Sequence, residues 1–216
     1  MDGAIRLCPL FLFAMKVSVI IPVYNQENLL FRALGSIPKR DDVEIIVVDD
    51  ASTDRTWERL QAYAFDSVRN MKTYRNETNR GVWFARNIAI DHATGEYIYG
   101  LDSDDELIPD AWESALEHLD GTDIVYVNGI SNDGSIWSVN EHTRDKYGAF
   151  WLKFVRREFI GNIRCPAHRW AEDKGFTEQL LRKNPSEKQT NITAYRYNWP
   201  RPGSLCWIEN YGDGSV

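Results

Sequence analysis

"KVSVIIPVYNQENLLFRALGSIPKRDDVEIIVVDDAS", residues 16–52, is the stretch that decides the fold. Its two Val/Ile runs are continuous and do not alternate apolar with polar. That pattern suits strands buried on both faces, as in a parallel sheet covered by helices. Between them "ENLLFRALGSI" reads as a helix. The first run stops at Pro22 and the second in acid, at Asp49 and Asp50, with Ser52, Thr53 and Asp54 as cap candidates for a helix carrying Trp57, Leu60 and Ala64 on one face.

The alternation continues outward. "NRGVWFARNIAIDHATG" reads as a loop feeding a helix, and "EYIYGL" as the next buried strand. Pro109 then opens a helix with Trp112, Ala115, Leu116 and Leu119 on one stripe, and "DIVYVNGI" is the strand after it. Strand, helix, strand order at roughly 30 residues per unit predicts right-handed crossovers in an α/β sheet. Ligands of such sheets bind beyond the carboxyl ends of the strands. The segments "PVYN", "DDAS" and "DSDD" should therefore meet on one rim.

At that rim "YIYGLDSDDELIP", residues 97–109, sets an apolar run against Asp102, Asp104, Asp105 and Glu106. Packed carboxylates repel one another, so the turn asks for a cation or a basic partner. Asp102 and Asp104, separated by one residue, can address a single hard cation that in turn bridges phosphate oxygens. An EF-hand is excluded, since Leu107 stands where its sharp turn needs Gly. The competing structural reading assigns Asp105, Glu106 and Asp110 to the dipole of the helix at Pro109.

Beyond residue 130 the pattern weakens. "ISNDGSIWSV" predicts a hairpin with an Asp-Gly turn, "RDKYGAFWLKFVRREF" a helix or loop-helix, "WAEDKGFTEQLLRK" a helix, and "QTNITAYRYNW" a closing strand. Trp137, Trp151, Trp170, Trp199 and Trp207 fall in this half and read mainly as the core of a small lobe. His168, with no second ligand at metal-binding spacing, reads as structural or solvated. "WPRPGSL", residues 199–205, reads as a Pro/Gly turn, with the alternative of a lid whose Arg201 or Ser204 reaches a diphosphate.

Composition bounds the rest. A chain of 216 residues with 43% hydrophobic and 26% charged residues is long enough for one domain with a substantial core. The net charge of −7 argues against broad nucleic-acid binding, which draws its affinity from Lys and Arg on phosphates. Cys8, Cys165 and Cys206 form no CxxC pair, which points to a reducing, cytoplasmic compartment. "IRLCPLFLFA", residues 5–14, is too short to span a bilayer and reads as an added N-terminal arm. With no transmembrane segment expected, a membrane would be met from its surface.

Four segments, "VSVIIPVYNQENLLFRALGSI", "IIVVDDASTDRT", "NRGVWFARNIAIDHATGEYIYGLDSDDELIPD" and "EDKGFTEQLLRK", are similar in order and spacing to the family 2 glycosyltransferases of the GT-A fold. The match is strong over residues 16–130 and loose beyond. The resemblance implies a Rossmann-like, mostly parallel sheet flanked by helices, with a smaller C-terminal acceptor lobe. Residues 15–130 would be the nucleotide-sugar-binding half and residues 131–216 the acceptor-binding half of the same domain, after an extension at residues 1–14. It implies a nucleotide-diphosphate sugar donor with UDP as the expected nucleotide, a divalent Mn²⁺ or Mg²⁺, a saccharide, lipid-linked or other hydroxyl acceptor, and inversion at the anomeric carbon.

Carried over residue by residue, the resemblance lays Pro22 and Tyr24 along the nucleobase and bonds Asp50 to a uracil-like edge. Asp102 would hold the ribose or a metal-bound water, beside Ser103 in the donor site. Asp104, with Asp102, would coordinate the metal against the diphosphate. Arg86 is implied as a diphosphate or scaffold contact, with a salt bridge to the acidic rim as the alternative. Asp173 is implied as the general base, with Glu172 as its neighbour and understudy, and the alternative reads these residues as first-turn acids at a helix N-terminus. The alternative of another class is a noncatalytic nucleotide-sugar-binding or scaffold protein on the same fold. Pyrophosphorylase and dehydrogenase readings fail because no Gly-rich phosphate loop follows the first strand.

Overall fold

The computed structural model describes residues 16–67, 70–140, 143, 148–168 and 171–201. The arm at residues 5–14, Trp170, Ser204, Cys206 and Trp207 lie outside the described residues. The chain opens with β1 (Val17–Val23), α1 (Leu30–Ser36), β2 (Val43–Asp49), α2 (Thr56–Asp66) and β3 (Met71–Arg75). Next come α3 (Val82–His92), β4 (Tyr97–Gly100), β5 (Glu106–Leu107) and α4 (Pro109–Leu116). The second half holds β6 (Ile124–Ser131), β7 (Ile136–Trp137), a 3-10 turn at Phe150–Leu152, β8 (Lys153–Arg156), α5 (Arg157–Ile160), α6 (Glu172–Leu181) and β9 (Glu187–Tyr197).

One sheet runs in the order β3-β2-β1-β4-β8-β6-β9-β5, with β7 paired to β6. β1 pairs in parallel with β2 and β4, and β2 with β3. Every residue of β1, β2 and β4 is buried, as the continuous Val/Ile runs predict. The Asp-Gly hairpin also forms: Asp133 accepts from the backbone N–H of Ser135 at 2.9 Å and Gly134 takes φ +85°.

Two elements differ from the expectation. β3 was not foreseen because "MKTYR" has no apolar run; as the edge strand it is at most half-buried along its length. Where "RDKYGAFWLKFVRREF" predicts a helix or loop-helix, its described part is the 3-10 turn and then β8, which inserts antiparallel between β4 and β6, and only its end, from Arg157, is helical in α5. Phe150 to Val155 are buried without interruption, and a run buried all round carries no period to tell strand from helix. The segments before and after residue 130 therefore interleave in one sheet, and residue 130 lies within β6.

Trp112 is fully buried against Tyr99 and Phe154, joining α4 to both sides of that insertion. Trp151 stacks on Tyr195 at 4.6 Å, with Trp137 and Tyr197 around it, as the small aromatic core foresaw. Gly129 permits this packing, since a Cβ there would lie 2.4 Å from the Trp151 ring. At the amino end of the parallel strands Glu44 is completely buried. It accepts from the Ser18 hydroxyl (2.5 Å), the Thr94 N–H and hydroxyl, the Gly95 N–H, and Lys72 Nζ (2.7 Å).

Candidate active site

Parallel register places the carboxyl ends of β1, β2 and β4 side by side, so Pro22, Tyr24, Asp49, Asp50 and Asp102 share one rim. Pro22 is buried in β1 and Tyr24, just beyond it, is 42% exposed. Asn25, at φ +50°, ties the two strand ends together: its N–H donates to Ser52 Oγ at 2.9 Å and its Oδ1 accepts from the Thr53 N–H at 2.8 Å. Asp49 turns inward, taking the Ser52 N–H and facing Arg75 at 3.3 Å. Asp50 is 2% exposed and accepts from Asn76 Nδ2 (2.6 Å) and from the N–H groups of Arg80 and Gly81 (2.7 Å for the latter). It thereby folds the 76–81 loop over the rim. Gly81 holds φ +93° at the start of α3, which favours glycine.

In the acidic turn each aspartate has its own partner. Asp102 is half-buried and receives Arg86 Nη2 at 2.7 Å. Arg86, 5% exposed, also donates to Glu172 and lies over the Phe150 ring at 4.9 Å. Ser103 is buried. Asp104 is ion-paired with Arg201. Asp105 does not serve the helix dipole as the sequence suggested: it is buried, accepting from the Tyr195 hydroxyl (2.6 Å) and the Asn198 N–H (2.7 Å) of the β9 end. Glu106 turns outward to Arg32, and Asp110 alone sits in the first turn of α4.

The second half brings α6 to this turn. Glu172 is buried and held by Arg86, whereas Asp173 is half-buried with one oxygen on the Lys174 N–H at 2.7 Å. His168 Nδ1 accepts the Ala171 N–H at 3.1 Å and shapes the entry to the helix, a structural role as expected. Below, Lys153 Nζ is buried and donates to the Gly148 and Ala149 carbonyls at 2.7 Å each. Gly148 presses on Lys174, where a Cβ would come within 2.4 Å of that residue's Cα. Cys165 is a buried free thiol.

Electrostatics follow from this crowding. Burial pushes Asp102 above the ordinary carboxylate range, helped by Asp104 and Asp173 against the pull of Arg86. Burial raises Asp105 further, with Asp104 and Asp102 adding to it. Glu172 is raised by burial despite Arg86. Burial works against the charge on Arg86, but Asp102, Glu172 and Asp173 outweigh it and keep the guanidinium charged. Burial lowers Lys153 to about 7 and pushes Cys165 up to about 12.

Asp102 and Asp104, separated by Ser103, offer oxygen donors only. Among the described residues no group of three or more His, Cys, Asp or Glu converges on a metal position. A divalent ion here would take one or two carboxylates from the chain and its other ligands from phosphate oxygens or water, the donor set of a hard cation such as Mg²⁺ or Mn²⁺. The residues fit the group that the resemblance implies.

Sequence reasoning missed Asn76, Tyr195 and Lys153. Tyr195 and Asn76 carry no local signal because their partners are 90 and 26 residues away. Lys153 was hidden in the segment read as helical.

A sheet whose parallel half ends in a carboxylate rim, closed by a mixed half that returns a helix to it, is the GT-A fold of glycosyltransferases. The chain belongs to glycosyl transferase family 2, whose family model matches residues 18–183. It is 35% identical over 138 residues to the poly(ribitol-phosphate) β-N-acetylglucosaminyltransferase TarS of Staphylococcus aureus, covering 60% of this chain and 24% of that protein. TarS 1–349 solved with UDP-GlcNAc superposes with a TM-score of 0.74 at 27% identity, over 88% of this chain and 60% of that one. The putative colanic acid biosynthesis glycosyl transferase WcaA of Escherichia coli is 37% identical over 156 residues, 68% of this chain and 54% of its own. The mannosyltransferase PcManGT of Pyrobaculum calidifontis, in complex with GDP-Man and Mn²⁺, shares the fold with a TM-score of 0.71 at 22% identity, over 89% of this chain and 59% of its own. The chain thus spans between a quarter and just over half the length of these curated relatives. Among the described residues no helix is long and apolar enough to cross a membrane.

Proposed function

We propose that the chain transfers a sugar from a nucleotide-diphosphate donor, UDP being the nucleotide, to an acceptor hydroxyl with inversion at the anomeric carbon. The observation that carries this reading is the meeting of three parallel strand ends with the start of α6, across the buried Asp102–Arg86–Glu172 link. It joins residues suited to hold a donor to a carboxylate suited to take a proton. The UDP-GlcNAc complex of TarS supports the choice of nucleotide.

In this reading Pro22 and Tyr24 flank the nucleobase, and Asp50 sets its hydrogen-bonding edge while fixing the loop above it. Ser103 and Asp102 face the ribose and Asp104 the diphosphate. Residues 15–130 hold the donor and the later segments receive the acceptor. Asp104 and Asp102 would hold a divalent cation, which when bound offsets charge on the departing diphosphate. Arg86 acts mainly as a brace, because both its arms are already taken by carboxylates. Asp173 accepts the proton of the attacking hydroxyl. Glu172 is unsuited to that task, since Arg86 occupies it, whereas Asp173 has one carboxylate oxygen beyond its bond to Lys174.

The test is to incubate the protein with UDP- and GDP-sugars plus Mn²⁺ and follow nucleotide release and transfer to a panel of hydroxyl acceptors. Asp173→Asn should lower transfer about 10²- to 10⁴-fold, the usual worth of a positioned base, with donor binding retained. Donor binding by the wild type with no turnover on any acceptor would instead support a noncatalytic sugar-nucleotide-binding protein.

A further inference from the structure

Two arginines pair with the aspartates of the acidic turn, and they are held in different ways. Arg86 is 5% exposed, paired with two carboxylates and covered by Phe150. Arg201 makes one ion pair, to Asp104, with its side chain 25% exposed. Its Nε is buried with no hydrogen-bond partner. The backbone leading to it is pinned: Asn198 N–H donates to Asp105 at 2.7 Å, and Asn132 donates to the Trp199 carbonyl at 3.0 Å and to Asn198 Oδ1 at 2.8 Å. Arg201 therefore stands at the end of a fixed strap, with its guanidinium against the carboxylate best placed to meet a metal.

We propose that Arg201 is a built-in counter-ion, which a divalent cation displaces from Asp104 when the site is loaded. The proposal rests on the reading of Asp104 as a metal ligand. Arg201 Nη2 covers Oδ2 of Asp104, and its positive charge opposes a second cation beside it, so the two cations compete. Arg86 does not exchange, since leaving would strand buried Glu172 without its charge partner. Arg201 can leave at the cost of one partly exposed pair, and the pinned backbone confines the change to its own side chain. The device keeps Asp104 compensated while no metal is bound, so the turn stays folded beside Asp102 and Asp105. The metal is then bound more weakly than by an open carboxylate pair.

The test is Mn²⁺ binding without nucleotide, read as the free-ion signal in electron paramagnetic resonance, for wild type, Arg201→Met, Arg32→Met and Asp104→Asn. Omitting nucleotide removes any direct effect of Arg201 on a diphosphate. Arg201→Met should tighten Mn²⁺ about two- to fivefold, as expected for loss of a partly exposed pair. Arg32→Met removes an equal charge from Glu106 on the same turn and should leave the affinity within error. Wild-type binding that Asp104→Asn abolishes but Arg201→Met leaves unchanged would overturn the counter-ion and keep the metal reading. Equal tightening by Arg32→Met would also overturn it, because general charge removal would then suffice. Absence of Mn²⁺ binding in every form, or full binding by Asp104→Asn, would overturn the metal reading and the counter-ion together.

Discussion

Glu44 at the amino end of the parallel strands and Asp102, Asp105 and Glu172 at the opposite rim are all carboxylates wholly or partly withdrawn from water, yet their surroundings differ. Around Glu44 two hydroxyls, two backbone N–H groups and Lys72 meet both oxygens. Burial would raise its pKa, but these donors outweigh burial and hold it below the ordinary value. At the rim burial wins, and Asp102, Asp105 and Glu172 are all raised. A carboxylate with its hydrogen-bonding capacity filled is a brace for the sheet. Carboxylates crowded together with too little positive charge stay raised, the condition under which added positive charge is most favoured.

The comparison can be broken most forcefully through Arg86. Arg86→Met would leave Glu172 and Asp102 without their shared charge and should cost about 3–5 kcal/mol in chemical unfolding, as for other broken buried pairs. Adding Glu172→Leu should recover part of that loss. A cost no greater than that of an exposed pair would show that the rim is solvated and not a buried link.

Glu44→Gln tests the other end and should cost about 1–3 kcal/mol at pH 7, because donors tuned to an anion lose part of their acceptor. The sign with pH follows from its lowered pKa. The stabilisation is present above the unfolded value near 4.5 and is lost as pH falls through the folded one. The gap between wild type and variant, measured by thermal unfolding, should therefore narrow below about pH 4.5 and stay constant from pH 6 to 8.

Asp105→Asn should give the smallest effect and the opposite pH sign. A folded pKa raised above the ordinary 3.8 makes the ionised group destabilising at neutral pH, and stability returns as pH falls through the raised value. The variant's Tm relative to wild type should be more favourable at pH 8 than at pH 4.5. An equal offset at both would remove Asp105 from the crowded set.

Much of this arrangement was legible residue by residue. The Val/Ile runs of β1 and β2 name themselves as two-sided strands, because only side chains buried on both faces need no alternation. Parallel strands then force Pro22, Asp50 and Asp102 to one rim. The repulsion within "DSDD" correctly called for positive partners. Of the two answering residues, Arg86 was legible as a salt-bridge candidate for the acidic rim, whereas Arg201 was not legible as the partner of Asp104, which lies 97 positions away with no local rule to link such a distance. Lys153 and β8 were hidden for a related reason, since a continuously buried run has lost the period that would reveal its conformation.

Sequence alone determined the parallel α/β half, the rim and the clustering of acid there, because periodicity and strand direction are local properties. Tertiary structure decided that β8 enters between β4 and β6, that Arg86 braces the rim to α6, and that Arg201 closes Asp104. Those outcomes depend on which buried charges find partners after the chain has folded back, and that balance is set by three-dimensional proximity.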